Sequence, residues 1–268
     1  MQSEAYKLSG FTVIVSAMGF MLRWLQNMRI MDQETGLAES APISWIVGGL
    51  IVIVAAVLAG FVFRLGRFEA PGEPENALAG HTPFFTAIAL IPAVLLIISG
   101  AGQLLQRDIV LWPTLHRLCG AATMAGGFGA VLVATNAVKK QKQSSCRAGA
   151  VMMILFAGVW LVTAYRDAAT DPVTWRFAVE ILAGCVMLLA FYHSTGYFFG
   201  VPHPKWTLFF CNLGAFLCVM SAIDDHTLAQ NLAYAAVAVY LIIWGFVVTE
   251  NLKTKPIEPV QQGEIPED

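Results

Sequence analysis

Long apolar runs separated by short charged stretches set the pattern of this chain. A bilayer core about 30 Å thick takes roughly 20 helical residues. By that ruler eight segments qualify, at residues 8–28, 43–65, 83–105, 114–138, 148–165, 173–200, 206–223 and 228–249. The expected fold class is therefore all-α, a polytopic transmembrane helical bundle filling residues 1–249. The fourth segment is the least hydrophobic, with Gly120, Gly126, Gly127 and Gly129 among alanines. Small residues at four-residue spacing, Ala121, Ala125 and Gly129, suit a helix that neighbours approach closely. Beyond Thr249 the chain turns to charges, amides and prolines (Pro256, Pro259, Pro266), a composition unable to bury enough apolar area to fold. Residues 250–268 read as a disordered cytoplasmic tail.

The polar positions inside these runs carry the functional information. Between Tyr165 and Gly196 the sequence places Arg166, Asp167, Asp171, Arg176 and Glu180 at the mouth of an apolar helix. Counted from Val173, Glu180 lies two turns in, roughly 10 Å at 1.5 Å per residue. An ionised side chain well inside a span costs on the order of 3 kcal/mol to insert. It needs a partner or water. Arg176 stands one turn from Glu180 on the same face, and Arg23 lies at matching depth in the first segment. His116 and Arg117 open the fourth segment on this side. Arg23, His116, Arg117, Arg166, Arg176 and Glu180 thus form the candidate ligand-binding set, an outward-facing vestibule in which arginine holds a small anionic or zwitterionic solute by forked hydrogen bonds. The competing reading is an Arg23–Glu180 pair that only fixes helix packing, or arginines that snorkel to headgroups.

Composition agrees with a membrane setting and narrows the alternatives. Hydrophobic residues make up 57% and charged residues 13% of the 268, and the net charge of −2 gives no basic footprint for nucleic acid. The five cysteines, Cys119, Cys146, Cys185, Cys211 and Cys218, form no CxxC and read as small packing residues. Short connections rich in Lys139, Lys140, Lys142 and Arg147, or in Arg64 and Arg67, point to the cytoplasm by the positive-inside rule, which puts both termini inside. Trp24, Trp45, Trp112 and Trp175 fall at the outer boundary as an aromatic belt.

Two short matches suggest an internal repeat. Pro42-Ile43-Ser44-Trp45 parallels Pro172-Val173-Thr174-Trp175, and Thr82-Pro83-Phe84-Phe85 parallels Thr207-Leu208-Phe209-Phe210. They would relate units 1–138 and 148–249 as a parallel 4+4 repeat about the membrane normal.

No HExxH, GxSxG or phosphate-binding glycine loop occurs, so no catalytic residue is assigned, and an enzyme is the least favoured class. No metal or cofactor is expected either. Asp224-Asp225-His226 invites a metal reading, but consecutive residues at a helix end point apart, and turn acids are ordinarily solvated. His193 and His203 offer no evident haem pairing.

Arg23-Trp24-Leu25-Gln26, Thr35-Gly36-Leu37, the loop from Arg166 to Pro172 and Glu180-Ile181-Leu182-Ala183 resemble a loose group of uncharacterised eight-helix integral membrane proteins of anaerobic Gram-positive bacteria. The resemblance follows the whole chain loosely, implies a bacterial cytoplasmic membrane and carries over no site. The reading is then a multi-pass membrane protein in contact with the lipid bilayer, a transporter or solute-binding protein for a small-molecule solute. The alternative is an accessory subunit of a membrane complex, with a partner membrane subunit.

Overall fold

The computed structural model describes residues 2–30, 42–64, 68–69, 83–106, 112–137, 143–170, 177–224 and 226–254. Among them the helices are α1 (Gln2–Ile30), α2 (Pro42–Arg64), α3 (Pro83–Leu105), α4 (Pro113–Asn136), α5 (Gln143–Thr170), α6 (Ala178–Thr195), α7 (Pro204–Ser221) and α8 (Leu228–Glu250). All-helical architecture is what the apolar runs require, because only intrahelical bonds satisfy the backbone in lipid. Two-residue strands β1 (Phe68–Glu69) and β2 (Lys253–Thr254) pair antiparallel. Residues 250–254 of the expected tail therefore continue in an ordered path, with Leu252 buried, while 255–268 lie outside the described residues.

Seven of these helices are long and apolar enough to cross a membrane, and the chain is built as a multi-pass membrane protein. The one that falls short is not the glycine-rich α4 but α7, expected above as the seventh span. The reason is its position. Helix α7 packs against α1, α2, α6 and α8, and its residues from Cys211 to Cys218 are all buried. A helix enclosed by protein has little lipid-facing surface to cover, so it tolerates a mid-helix Asn212, which Thr12 of α1 meets with a 2.7 Å hydrogen bond.

The remaining packing is sequential. Helices α3 to α8 each lie against the next, and α8 returns to α3. Helix α1 lies on α7 and α8, and α2 on α7 and α1. Glycines set the closest approaches. A Cβ on Gly149 would come within 2.6 Å of the Gly129 carbonyl oxygen, and one on Gly100 within 2.7 Å of that of Gly120. Of the expected small-residue row Gly129 is at such a contact, Ala125 is half-buried and Ala121 is exposed; Gly120, Gly126 and Gly127 make further close approaches. The 4+4 repeat is not shown. Helix α6 packs extensively on α7, whereas α2 and α3, the pair a repeat would match to them, make no comparable contact.

Contacts at helix ends fix the direction of the bundle. Gln26 bonds Ser44, His116 meets Asp167, and Ser99 donates to the carbonyl of Ala229, so the ends of α1, α3, α5 and α7 share one face with the starts of α2, α4, α6 and α8. At the far face Tyr6 packs on Phe246, and Arg147 donates to the Phe198 carbonyl. Chain entry and the end of α8 share that far face. Helix α6 stops at Thr195 rather than running on to Gly200. A 3-10 turn follows, closed by Gly200 at φ 77°, a left-handed conformation that favours glycine.

Candidate functional site

Four elements bring ionisable and hydrogen-bonding groups together inside the charged face. Glu180, in the first turn of α6, is 7% exposed. The Tyr234 hydroxyl of α8 donates to its Oε1 at 3.1 Å, and Trp160 Nε1 of α5 donates to the Tyr234 oxygen at 2.9 Å. His226, from the α7–α8 turn, stacks on the Tyr234 ring at 5.3 Å and brings Nε2 to 3.9 Å from Glu180 Oε1. The turn is held in place by a capping box at the start of α8: Gln230 N–H donates to Thr227 Oγ1, and Thr227 N–H donates to Gln230 Oε1.

Beside this relay lies a second pair. Arg23 Nε donates to Asp224 Oδ1 at 2.7 Å, with the two side chains only 3% and 9% exposed. Arg23 Nη1 also reaches Gln26 Oε1 at 2.9 Å, and the Asn27 amide donates to Asp224 Oδ1 at 3.1 Å. The expected Arg23–Glu180 pair is thus replaced: Arg23 pairs with Asp224, and Glu180 takes its hydrogen bond from Tyr234. Asp224 is not the solvated turn acid its sequence position suggests. It is buried because the turn tucks between helices. The expectation that Asp224 and His226 point apart holds, since one faces Arg23 and the other Glu180.

The rim of the face carries the remaining candidates. His116 Nε2 of α4 lies 3.3 Å from Asp167 Oδ1 of α5, both partly exposed. Arg166 sits over the Trp112 ring, 4.6 Å from its centroid, and Arg117 is exposed. Arg176 lies outside the described residues. Inward of this rim Cys119, Thr123 and Thr163 are buried, and the two threonine hydroxyls donate to carbonyls of their own helices, those of Cys119 and Val159.

On the other side of Glu180 the interior becomes aromatic. Ring centroids run from Tyr234 to Trp160 (5.1 Å), Phe156 (5.7 Å), Phe191 (6.4 Å), Tyr240 (6.2 Å), Trp244 (6.0 Å) and Phe198 (6.1 Å). This column crosses to the far face. Near that end Phe191, Phe198, Tyr240 and Trp244 line a small cavity with Ser194 and Thr195, with room for about one water molecule.

Sequence reasoning missed Tyr234 and Trp160, which sit in apolar runs like ordinary core aromatics. A signal was present in their polar tips, which need partners when buried. All five cysteines are unbridged and four are buried, in keeping with packing. His193 is likewise a packing residue, stacked on Phe210 with ring centroids 5.3 Å apart. Among the described residues no group of three or more His, Cys, Asp and Glu can hold a metal. No protein-family model, curated protein or solved structure matches this chain.

Proposed function

We propose that the charged face is a solute-binding vestibule of a transport-type membrane protein, with Glu180 at its inner end. One observation carries the reading: a carboxylate enclosed among helices whose hydrogen bond comes from a tyrosine hydroxyl rather than a cation. Replacing buried ion pairs by well-packed apolar side chains is often neutral or stabilising. Packing alone therefore gives little reason to keep Glu180, Asp224 and Arg23 together inside the bundle. With Arg23 committed to Asp224, the inner end is acidic, and the exposed bases Arg117 and Arg166 stand at the rim. Of the anionic or zwitterionic solutes expected, that polarity favours a zwitterion, its ammonium toward Glu180 and its acid group toward the rim. The aromatic column fills the interior beyond Glu180, so solute enters from the charged face, and passage across the bundle requires the column to part.

The competing reading, an accessory subunit whose charges only lock helices, draws support from the tight burial of Arg23 and Asp224. Thermal unfolding of the purified protein with a panel of amino acids and small amines separates the two. A compound that stabilises the wild type but not Glu180→Gln, which keeps size and hydrogen bonding, supports the vestibule. Stabilisation by none, with Glu180→Leu as stable as wild type and as active in cells, supports the subunit. We further propose a bacterial cytoplasmic membrane with the charged face outside and both termini in the cytoplasm, on the strength of the basic connections at the far face.

A further inference from the structure

The end of α7 carries buried side-chain oxygens that no hydrogen bond satisfies: Ser221 Oγ, Asp224 Oδ2 and, from α1, Asn27 Oδ1. They belong to residues already in contact. Asp224 N–H donates to the Ser221 carbonyl at 3.1 Å, and Asn27 Nδ2 lies 3.1 Å from Asp224 Oδ1 and 3.4 Å from the Ile223 carbonyl. Ser221 is fully buried, and the Asp224 side chain is only 9% exposed. Oxygens left in this state normally find a partner, because a buried acceptor without one forfeits its hydration.

We propose that Ser221 Oγ, Asp224 Oδ2 and Asn27 Oδ1, at the C-terminal end of α7, form a binding site for a monovalent hard cation of the sodium type. Chemistry, charge and helix geometry support this assignment. The atoms are oxygens of carboxylate, amide and hydroxyl type, which suit hard cations rather than soft metals. These oxygens lie at the C-terminal end of α7, the negative pole of its helix dipole, and interrupted helix ends coordinate sodium in membrane transporters. Among these oxygens only Asp224 contributes a carboxylate, and a set with a single carboxylate suits a monovalent ion better than a divalent one. Arg23 occupies Oδ1 and leaves Oδ2 for the ion. This goes beyond the solute reading and does not depend on it, since occupancy is read from stability without any solute.

The experiment is thermal unfolding of the purified full chain in detergent, titrated with sodium, potassium or choline chloride at constant ionic strength. The expected result is a saturable rise in midpoint with sodium, absent with choline and much weaker with potassium. Ser221→Ala removes a hydroxyl that has no partner, so it should fold as well as wild type in choline while needing at least about tenfold more sodium for the same rise. Asn27→Ala should lose the sodium response in the same way, from a lower midpoint in choline because it also removes the amide that donates to Asp224 Oδ1. Ser16→Ala, which removes another buried unpartnered hydroxyl from α1, should keep the full sodium response. Equal midpoints in all three salts, or an unaltered sodium titration in Ser221→Ala, would overturn the site.

Discussion

Replacing Arg23 by methionine tests the central interaction of the charged face. The substitution keeps most of the aliphatic length and removes the guanidinium. Asp224 then retains only the Asn27 amide among its described side-chain partners, with Oδ2 already unpartnered and the side chain 9% exposed. Breaking a buried pair by removing one member costs about 3 to 5 kcal/mol. At about 2 to 4 °C per kcal/mol for a chain of this size, the midpoint should fall by roughly 6 to 20 °C. Asp224→Leu should fall comparably if Arg23 stays trapped, and less if its long side chain swings to the headgroups. The double variant Arg23→Met/Asp224→Leu has no charge left to strand, so it should recover most of the loss. A double-mutant cycle on thermal midpoints in detergent measures this directly. Losses that simply add in the double variant would refute the pairing, because independent sites add and coupled ones do not.

Other perturbations probe packing, capping, the relay and orientation. Gly149→Ala should destabilise by about 1 to 3 kcal/mol because its Cβ meets the Gly129 carbonyl oxygen of α4, whereas Gly158→Ala, with nothing within 4 Å, should be neutral or stabilise by up to about 1 kcal/mol; thermal melts in detergent compare them. Thr227→Ala should cost about 0.5 to 2 kcal/mol through loss of the α8 capping box, in the same assay. Tyr234→Phe removes the donor to Glu180 and should weaken solute stabilisation more than Trp160→Phe, which leaves the Tyr234–Glu180 bond in place; ligand titrations of the two variants test the order. For orientation, native Cys146 is uninformative because it is buried at 1% exposure. In a cysteine-free background an impermeant thiol reagent on intact cells should label Arg117→Cys and spare Lys205→Cys, and the reverse would turn the protein over.

What could be read from the sequence divides along a physical line. Helix existence was legible because spans must be long and apolar whatever they pack against, and seven of the eight expected spans meet that requirement. Glu180 was legible for the same reason, being a charge where the bilayer penalises one. Its partners were not. Depth along a helix can be counted, but which face meets which neighbour depends on the bundle's packing order, and Arg23 at matching depth proved to face the α7–α8 turn. The repeat rested on short matches in apolar sequence, and such sequence has few residue types with which to be distinctive. Tyr234 and Trp160 were hidden because their sequence surroundings are those of core aromatics, and only the geometry shows their polar tips joined to a carboxylate.

The length of α7 and the depth of the charged site are connected. Helix α7 has 18 residues, about 27 Å at 1.5 Å per residue, whereas α8 has 23 and α1 has 29. Its end at Ser221 comes short of the end of α1. Arg23 lies seven residues before Ile30, so the α7–α8 turn meets α1 roughly 10 Å below that helix end. A turn at such a depth cannot leave its polar groups to lipid and is tolerated only where protein encloses it. Helices α1, α6 and α8 supply that enclosure through Arg23, Glu180 and Tyr234, and the turn returns Asp224 and His226 to them. Shortening one central helix thus carries loop chemistry into the bundle interior without exposing it to lipid. A full-length α7 would lift Asp224 and His226 toward the surface, separating Arg23 and Glu180 from the groups that now accompany them.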